Sequence, residues 1–352
     1  AELRKIDSSD MYGIMKGFPE QVRQAIEIGK EARLFVSKDI PKRILILGMG
    51  GSAIGGDLLR SYSSGLEGAK HLNIAVNRNY NLPGNVDSDT YIIASSYSGG
   101  TEETISAFRQ AQARNLKMLC ISSGGELTEI AKENDIPVIK IPGGFQPRAA
   151  LGYSFFPMLQ VLIRTKAYSD KAAAETETAL NELLTLIDEK SAIYSDFSKS
   201  NPAIELAEKI HGKIPVIYSN SEIFDTINIR WRGQIQENAK NMAFGNLLPE
   251  MNHNEINGWS FPNWLNKKFI VLFLEDEADH PRVKIRFDAL ASVLSEAADD
   301  VIRIKSEARS LLARMFDLIY LADWVSFYLA LLNGVDPTPI PLISKLKNIL
   351  SK

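Results

Sequence analysis

Short apolar runs alternate with amphipathic helical stretches along the first part of the chain, and this alternation limits the folds available to it. The first run, Arg43 to Leu47, stops at glycines. Four similar runs follow, at 73–76, 91–94, 117–122 and 137–141. Helix-spaced stretches such as 102–114 and 126–132 separate most of them. Strands that alternate with helices predict one doubly wound domain with a parallel sheet covered on both faces.

The second half repeats this plan in a weaker form. Residues 149–211 predict helices, and the Ala/Glu/Thr-rich stretch 171–189 is typical of a solvated connecting helix. Further strands are predicted at 214–218, 269–274 and 301–304, with helices at 221–240, 283–294, 311–332 and 340–350. The predicted fold class is therefore α/β, with two doubly wound parallel-sheet domains and flanking helices.

The pattern also predicts the domain boundaries. Residues 1–40 form N-terminal helices and 41–150 the first domain, while connecting helices occupy 151–211. The second domain, with the C-terminal helices, occupies 212–352.

Charge and cysteine content limit the partners and the compartment. The net charge is −3, which gives no sign of nucleic acid or an anionic membrane as partner. Cys120 is the only cysteine of the chain and lies inside an apolar run, so we expect a buried thiol and no internal disulfide. The first seven residues lack the apolar stretch of a secretory signal, and no apolar run approaches the ~20 residues of a bilayer span. A cytoplasmic protein is expected.

A glycine-rich turn follows the first predicted strand, from Gly48 to Asp57. Glycines let backbone N–H groups approach an anion, and the following helix offers its positive N-terminus. Gly48, Gly50 and Ala53 also fit the loose dinucleotide-binding fingerprint. That fingerprint requires an acidic residue at the end of the second strand, and residues 76–79 contain none. The turn therefore favours a phosphate over a dinucleotide.

A cluster of hydroxyl residues follows the third predicted strand, from Ser95 to Thr104. One hydroxyl there is explained by an ordinary helix N-cap, with Glu102 and Glu103 in the first turn. The remaining hydroxyls and two glycines are not. Together with backbone donors they favour a pocket for a phosphate monoester that needs no lysine or arginine.

These motifs resemble the sugar-isomerase (SIS) domain. Other motifs narrow the resemblance to the bifunctional phosphoglucose/phosphomannose isomerases of archaea and bacteria. They are Gln146–Leu151, Gln236–Lys240, Pro249–Asn254, Asp336-Pro337 and Leu346-Lys347. They occur in the family's order and cover most of the chain from about residue 43.

The resemblance implies a role for each matching residue. Glu237 corresponds to the catalytic base, and His253 and Lys347 to the pair that opens the sugar ring. Arg148 corresponds to the cation near the enediolate. The residues expected to bind the substrate phosphate are Gly50, Gly51, Ser52, Ser96, Ser98 and Thr101. The family also implies a homodimer in which the histidine reaches the neighbouring subunit's site.

Without the resemblance, ordinary roles fit the same four residues. Glu237 is then a solvent-facing glutamate near a helix end, and His253 a surface histidine in a polar loop. Lys347 is a solvated lysine, and Arg148 stands at the start of a helix. The catalytic assignments therefore depend on the family.

Two positions depart from the family pattern. The hydroxyl-rich segment from Ser95 to Thr104 is called the serine loop. Gly100 replaces an asparagine that is common in this loop. Ile340 stands where an archaeal relative has a threonine implicated in accepting mannose phosphate, with Thr338 two residues earlier.

The expected chemistry needs no metal and no cofactor. One carboxylate can carry a proton between C2 and C1 through an enediolate. The four histidines, at 71, 211, 253 and 280, are scattered without ligand spacing, which argues against the zinc-dependent mannose-phosphate isomerases. The alternatives are another SIS phosphosugar enzyme and a non-catalytic regulator that binds a sugar phosphate.

Overall fold

A computed structural model describes residues 3–34 and 42–350. Each of the five apolar runs in the first half forms a strand, because its side chains are buried by helices. The first sheet consists of β1 (Arg43–Leu47), β2 (Asn73–Asn77), β3 (Thr90–Ser95), β4 (Met118–Ser122) and β5 (Val138–Lys140). Its order is β2-β1-β3-β4-β5, and all the pairs are parallel.

Eight α-helices in the described part of the chain begin before residue 200. They are α1 (Leu3–Ile6), α2 (Met11–Lys16), α3 (Phe18–Glu31), α4 (Gly50–Gly65), α5 (Glu102–Ala113), α6 (Gly125–Glu133), α7 (Leu151–Arg164) and α8 (Asp170–Tyr194). Residues 17–34, 42–188 and 309–313 form one compact unit, the first-sheet unit. Within it α3 packs on α7, and the amide of Gln21 donates to the carbonyl of Ala149 at 2.9 Å.

Residues 3–16, 189–308 and 314–350 form a second compact unit, the second-sheet unit. Its strands are β6 (Ile214–Asn220), β7 (Phe244–Leu248), β8 (Phe269–Glu275) and β9 (Asp300–Lys305). They are parallel in the order β7-β6-β8-β9. The remaining helices are α9 (Pro202–Ile210), α10 (Asp225–Asn238), α11 (Asn263–Asn266), α12 (Pro281–Ala297), α13 (Leu311–Leu332) and α14 (Pro341–Leu350).

The predicted fold class, with two parallel sheets, is confirmed. Strand β7 was not predicted, because an edge strand that contains Gly245 and Asn246 lacks the composition of a strand. The proposed domain boundaries stay a prediction, and the one between residues 40 and 41 lies outside the described residues.

Within the described part of the chain, α13 is the one helix long and apolar enough to cross a membrane, with a mean hydropathy of 1.5 over the window. Arg314, Asp317 and Asp323 interrupt its apolar sequence. Of the most apolar 18-residue stretch of α13, 83% is buried inside the protein, as is typical of a core helix. Length and composition alone are therefore weak evidence for a membrane span.

Cys120 lies in the middle of β4 as a free, fully buried thiol. Burial raises the pKa of this thiol to about 12. The predicted buried thiol is confirmed, and the reactive thiolate is suppressed because the charged form is excluded from water.

Candidate active site

Two helix N-termini meet at one edge of the first sheet. α4 follows β1 and α5 follows β3, and β1 lies between β2 and β3 in the sheet. This is the topological switch point, where open α/β sheets bind ligands. The N-cap residues Met49 and Thr101 make no side-chain capping hydrogen bond. The first-turn amides of both helices are therefore not occupied by their own N-cap side chains and can receive an anion.

The predicted hydroxyl ligands lie together at this edge. The hydroxyl of Ser52 accepts a hydrogen bond from the backbone N–H of Tyr97 at 3.1 Å, which joins the start of α4 to the serine loop. The hydroxyls of Ser96 and Thr101 are 2.9 Å apart, so Thr101 is directed into the loop and not onto its own helix. Ser98 is exposed, and its hydroxyl accepts from the N–H of Gly100 at 3.3 Å.

Gly50 and Gly51 of the first turn are each required for a different structural reason. Gly50 has φ +49°, a left-handed conformation that side chains rarely adopt. A Cβ at Gly51 would lie 2.5 Å from the carbonyl oxygen of Pro147 and 3.2 Å from the backbone N of Arg148. Gly51 therefore lets the turn at Pro147–Ala149, which carries the buried Arg148, pack on the start of α4.

Sequence analysis missed the residues outside the serine loop that hydrogen-bond to Tyr97 and hold the loop in place. The hydroxyl of Tyr97 accepts from the N–H of Phe145 at 2.8 Å, and burial raises the pKa of Tyr97. The carbonyl of Tyr97 accepts from the hydroxyl of Ser123 at 2.6 Å. A signal was available, since the sequence Ser-Ser-Gly-Gly at 122–125 directly follows β4 at the same sheet edge.

Glu237, His253 and Lys347 belong to the second-sheet unit and lie on three separate elements. Glu237 is half-buried and is the next-to-last residue of α10. A polar network fixes α10 on α13, where the carboxylate of Asp323 accepts from Arg230 at 2.9 Å and from the amide of Gln234 at 2.7 Å. Burial raises the pKa of Asp323, although Arg230 and Gln234 oppose this shift.

His253 ends the 3₁₀ segment Glu250–His253 and is exposed. Glu255 anchors the following residues, because its carboxylate accepts from the hydroxyl of Tyr218 and the amide of Asn246, each at 2.5 Å. The indole N–H of Trp259 donates to the same Tyr218 hydroxyl at 3.0 Å. Burial, together with Glu255, raises the pKa of Tyr218. No sequence motif identified Glu255 as an anchor.

The segment that carries His253 and the helix that carries Glu237 lie on opposite faces of the second sheet. Tyr218 shares a buried cluster with Met251 and with Phe287 of α12. The next strand residue, Ser219, points to the other face, where its hydroxyl donates to the carbonyl of Phe224 directly before α10.

Lys347 lies on α14, a helix in which no residue is buried. The exposed fractions of Leu342, Leu346 and Leu350 are 80%, 56% and 76%. Within the first-sheet unit, the predicted phosphate ligands lie near the turn that carries Arg148. The other three predicted residues lie on separate elements of the second-sheet unit. All their catalytic roles stay predictions.

Across residues 3–34 and 42–350, no group of three or more His, Cys, Asp or Glu side chains is arranged to hold a metal ion. Independence of metal stays a prediction about the reaction.

Comparisons with known proteins point to one family. Residues 40–144 match the SIS domain, and residues 199–350 match the bacterial phospho-glucose isomerase C-terminal SIS domain. The C-terminal domain of glucosamine-fructose-6-phosphate aminotransferase from Francisella tularensis has a similar fold, with a TM-score of 0.72 at 15% identity over 94% of this chain and 98% of that one.

Two curated relatives are similar over nearly their whole length. The bifunctional phosphoglucose/phosphomannose isomerase of Caldicellulosiruptor bescii is 42% identical over 97% of this chain and 99% of the relative. The Aquifex aeolicus protein of the same name is 37% identical over 97% and 99%. With this identity over nearly the full length, the chain belongs to the family of bifunctional phosphoglucose/phosphomannose isomerases.

Proposed function

We propose that the protein is an aldose–ketose isomerase that interconverts glucose 6-phosphate and mannose 6-phosphate with fructose 6-phosphate. The observation that carries the proposal is the phosphate edge of the first sheet, in a chain of this family. Two helix N-termini without side-chain caps and the hydroxyls of Ser52, Ser96 and Thr101 converge there.

The phosphate edge suits a monoester dianion. Helix N-termini supply partial positive charge, and hydroxyl and amide donors form short hydrogen bonds to phosphate oxygens. The phosphate stays bound throughout the reaction. Its binding energy is therefore available to hold the sugar while the chemistry takes place at C1 and C2.

The proposed reaction assigns one proton carrier and one electrophile. The carboxylate of Glu237 takes the proton from C2 of the aldose and returns it to C1, while the proton of the C2 hydroxyl passes to O1, and the two transfers give the ketose. The guanidinium of Arg148 stabilises the negative charge of the enediolate. His253 and Lys347 move the protons that open the ring, one to the ring oxygen and one from the C1 hydroxyl.

A coupled assay in excess chelator tests the proposal. We expect turnover of fructose 6-phosphate, glucose 6-phosphate and mannose 6-phosphate, with a preference between the aldoses of at most about 100-fold, or roughly 2.7 kcal/mol of barrier. Ile340 is bulkier than threonine, so we expect the bias to favour glucose 6-phosphate. Binding of sugar phosphate without turnover would identify a regulator. Mannose 6-phosphate turnover that is absent, or that is lost with the metal, would reduce the activity to glucose 6-phosphate.

The proposed assembly is a homodimer in which His253 serves the neighbouring copy. Because the segments of Glu237 and His253 lie on opposite faces of one sheet, the geometry of the second-sheet unit disfavours joint action on one substrate within a chain. The apolar side of α14 is exposed, which is unfavourable in water unless another surface covers it.

Complementation between two inactive variants tests this assembly. In a mixed dimer of Glu237→Gln and His253→Ala, one site has both defects and the other has both native residues. After unfolding and refolding together, random pairing should restore about a quarter of wild-type activity, because half of the dimers are mixed. If both residues act within one chain, mixing restores nothing. Sedimentation that shows an active monomer at micromolar concentration would also contradict the dimer.

The proposed compartment is the reducing cytoplasm. A single free cysteine inside the first sheet fits this environment. Fractionation of the native host, with activity followed in the cytoplasmic extract, tests the assignment.

A further inference from the structure

The helix that carries Glu237 ends in an unusual way. Lys240 follows the C-cap residue of α10 with φ +54°, a left-handed conformation. The N–H of Asn241 reaches back to the carbonyl of Ile235 at 3.4 Å, which ties the chain after the helix to its last turns. Glycine usually occupies such a position, because a Cβ makes it unfavourable. A lysine there carries a backbone cost, which its side-chain contacts can offset.

The side chain of Lys240 makes such contacts. Its ammonium donates to the carbonyl of Asn238, in the last turn of α10, at 3.0 Å. It also donates to the carbonyl of Asp336 at 2.5 Å. One cation thus connects the negative end of the helix to a turn almost a hundred residues later in the sequence.

The turn at Asp336 is itself fixed on both sides. One carboxylate oxygen accepts from the hydroxyl of Ser8 at 2.5 Å, and the other accepts from the N–H of Thr338 at 2.9 Å. A few residues later the chain enters α14, which carries Lys347. The position of Lys240 therefore relates the end of the Glu237 helix to the start of the Lys347 helix, entirely within the second-sheet unit.

We propose that Lys240 is a positioning residue, whose ammonium fixes the end of α10 against the Asp336 turn so that Glu237 is held in its reactive geometry. This inference rests on the proposed role of Glu237. Lys240 is not assigned contact with the substrate. Its loss should lower kcat and leave KM nearly unchanged, because the phosphate is bound elsewhere.

The variant Lys240→Gly separates positioning from folding. Glycine relieves the left-handed backbone and removes the ammonium, so the melting temperature should stay level or rise while kcat falls about 100-fold. Lys240→Arg keeps a cation and should recover part of kcat. Lys240→Met keeps the backbone cost without the cation, so it should lose kcat like the glycine variant and melt at a lower temperature.

Lys166→Gly is the matched control. Lys166 also has a left-handed conformation, at φ +56°, and follows the C-cap of α7 as an exposed lysine in the first-sheet unit. Its glycine variant should gain stability in the same way and keep full activity. Unchanged kcat in Lys240→Gly would overturn the inference, and so would an equal loss in Lys166→Gly.

Glu237→Gln, assayed in parallel, distinguishes the two levels of failure. If Glu237→Gln is inactive and Lys240→Gly is fully active, the positioning role is wrong and the base stands. If Glu237→Gln itself turns over normally, the proposed base is wrong, and the positioning role is wrong with it.

Discussion

The carboxyl edges of the two parallel sheets share a topology and differ in their side chains. In the first sheet, β1 leads into a glycine turn, and the helix that follows has no side-chain cap. In the second, β6 ends at Asn220, whose side-chain oxygen accepts from the backbone N–H groups of Glu222, Ile223 and Phe224 at 3.1, 3.0 and 3.1 Å. Three backbone amides between β6 and α10 are therefore already satisfied by a side chain.

The neighbouring strand closes the second edge further. Asp276 and Asp279 follow β8, and the amide of Asn220 donates to the carboxylate of Asp279. Arg314 donates to the carboxylate of Asp276 at 2.5 Å. An anion that reached this edge would meet two carboxylates and a committed arginine. The topology is common to both sheets, so the side chains at each edge decide whether it can accept a phosphate.

The largest expected effect comes from Glu237→Gln, which removes the proposed proton carrier from the unit with the closed edge. The amide keeps the shape but cannot accept the proton, so kcat should fall about 10⁴-fold or more, at or beyond the upper end for a general base. Binding of glucose 6-phosphate should persist in calorimetry, because the phosphate edge is untouched. Glu208→Gln, an exposed glutamate on α9, serves as the control. Near-normal turnover in Glu237→Gln would remove this residue from the mechanism.

Ser96→Ala and Ser98→Ala weaken the open edge. Each removes a hydrogen bond to a charged group, worth about 1.5–3 kcal/mol, so KM should rise about 10- to 100-fold with a smaller change in kcat. Ser106→Ala, further along α5, is the control and should leave KM unchanged. Normal affinity in the Ser96/Ser98 double variant would mean that the phosphate binds elsewhere.

Asn220→Ala gives the smallest effect and tests the closed edge. Loss of the three hydrogen bonds to the amides of 222–224 should cost about 1–2 kcal/mol and lower the melting temperature by about 2–6 °C, with KM for sugar phosphate unchanged. Asn201→Ala, which removes the N-cap of α9, provides a reference for an ordinary cap. Calorimetry of the wild type should give one sugar phosphate per chain. A second equivalent of sugar phosphate that is lost in Asn220→Ala, and kept in the Ser96/Ser98 double variant, would contradict the comparison.

The meeting of the glycine and hydroxyl motifs at one edge of the first sheet was predictable, because each motif is continuous in the sequence. The glycines after β1 and the hydroxyls after β3 each form one continuous motif, and parallel strands bring the two motifs to one edge. The packing role of Gly51 was not predictable, since it depends on a turn almost a hundred residues later.

In the second-sheet unit, the start of α10 and the proposed catalytic residues could not be predicted from the apolar pattern. The helix predicted from residue 221 begins at Asp225, because the side chain of Asn220 binds the intervening amides and holds 221–224 in a turn. The spacing of apolar residues contains no information about such side-chain hydrogen bonds to the backbone. The roles of Glu237, His253 and Lys347 came from family resemblance, since they lie on separate elements that no local motif connects.

The burial of Cys120 has a practical consequence for spectroscopy. With a pKa of about 12, only about one thiol in ten thousand is ionised at pH 8, and the folded protein shields even that fraction. A dye-reactive cysteine introduced at an exposed position on α14 would therefore be labelled selectively, with the native thiol left in place. Distances measured between such dyes would test the proposed dimer in solution.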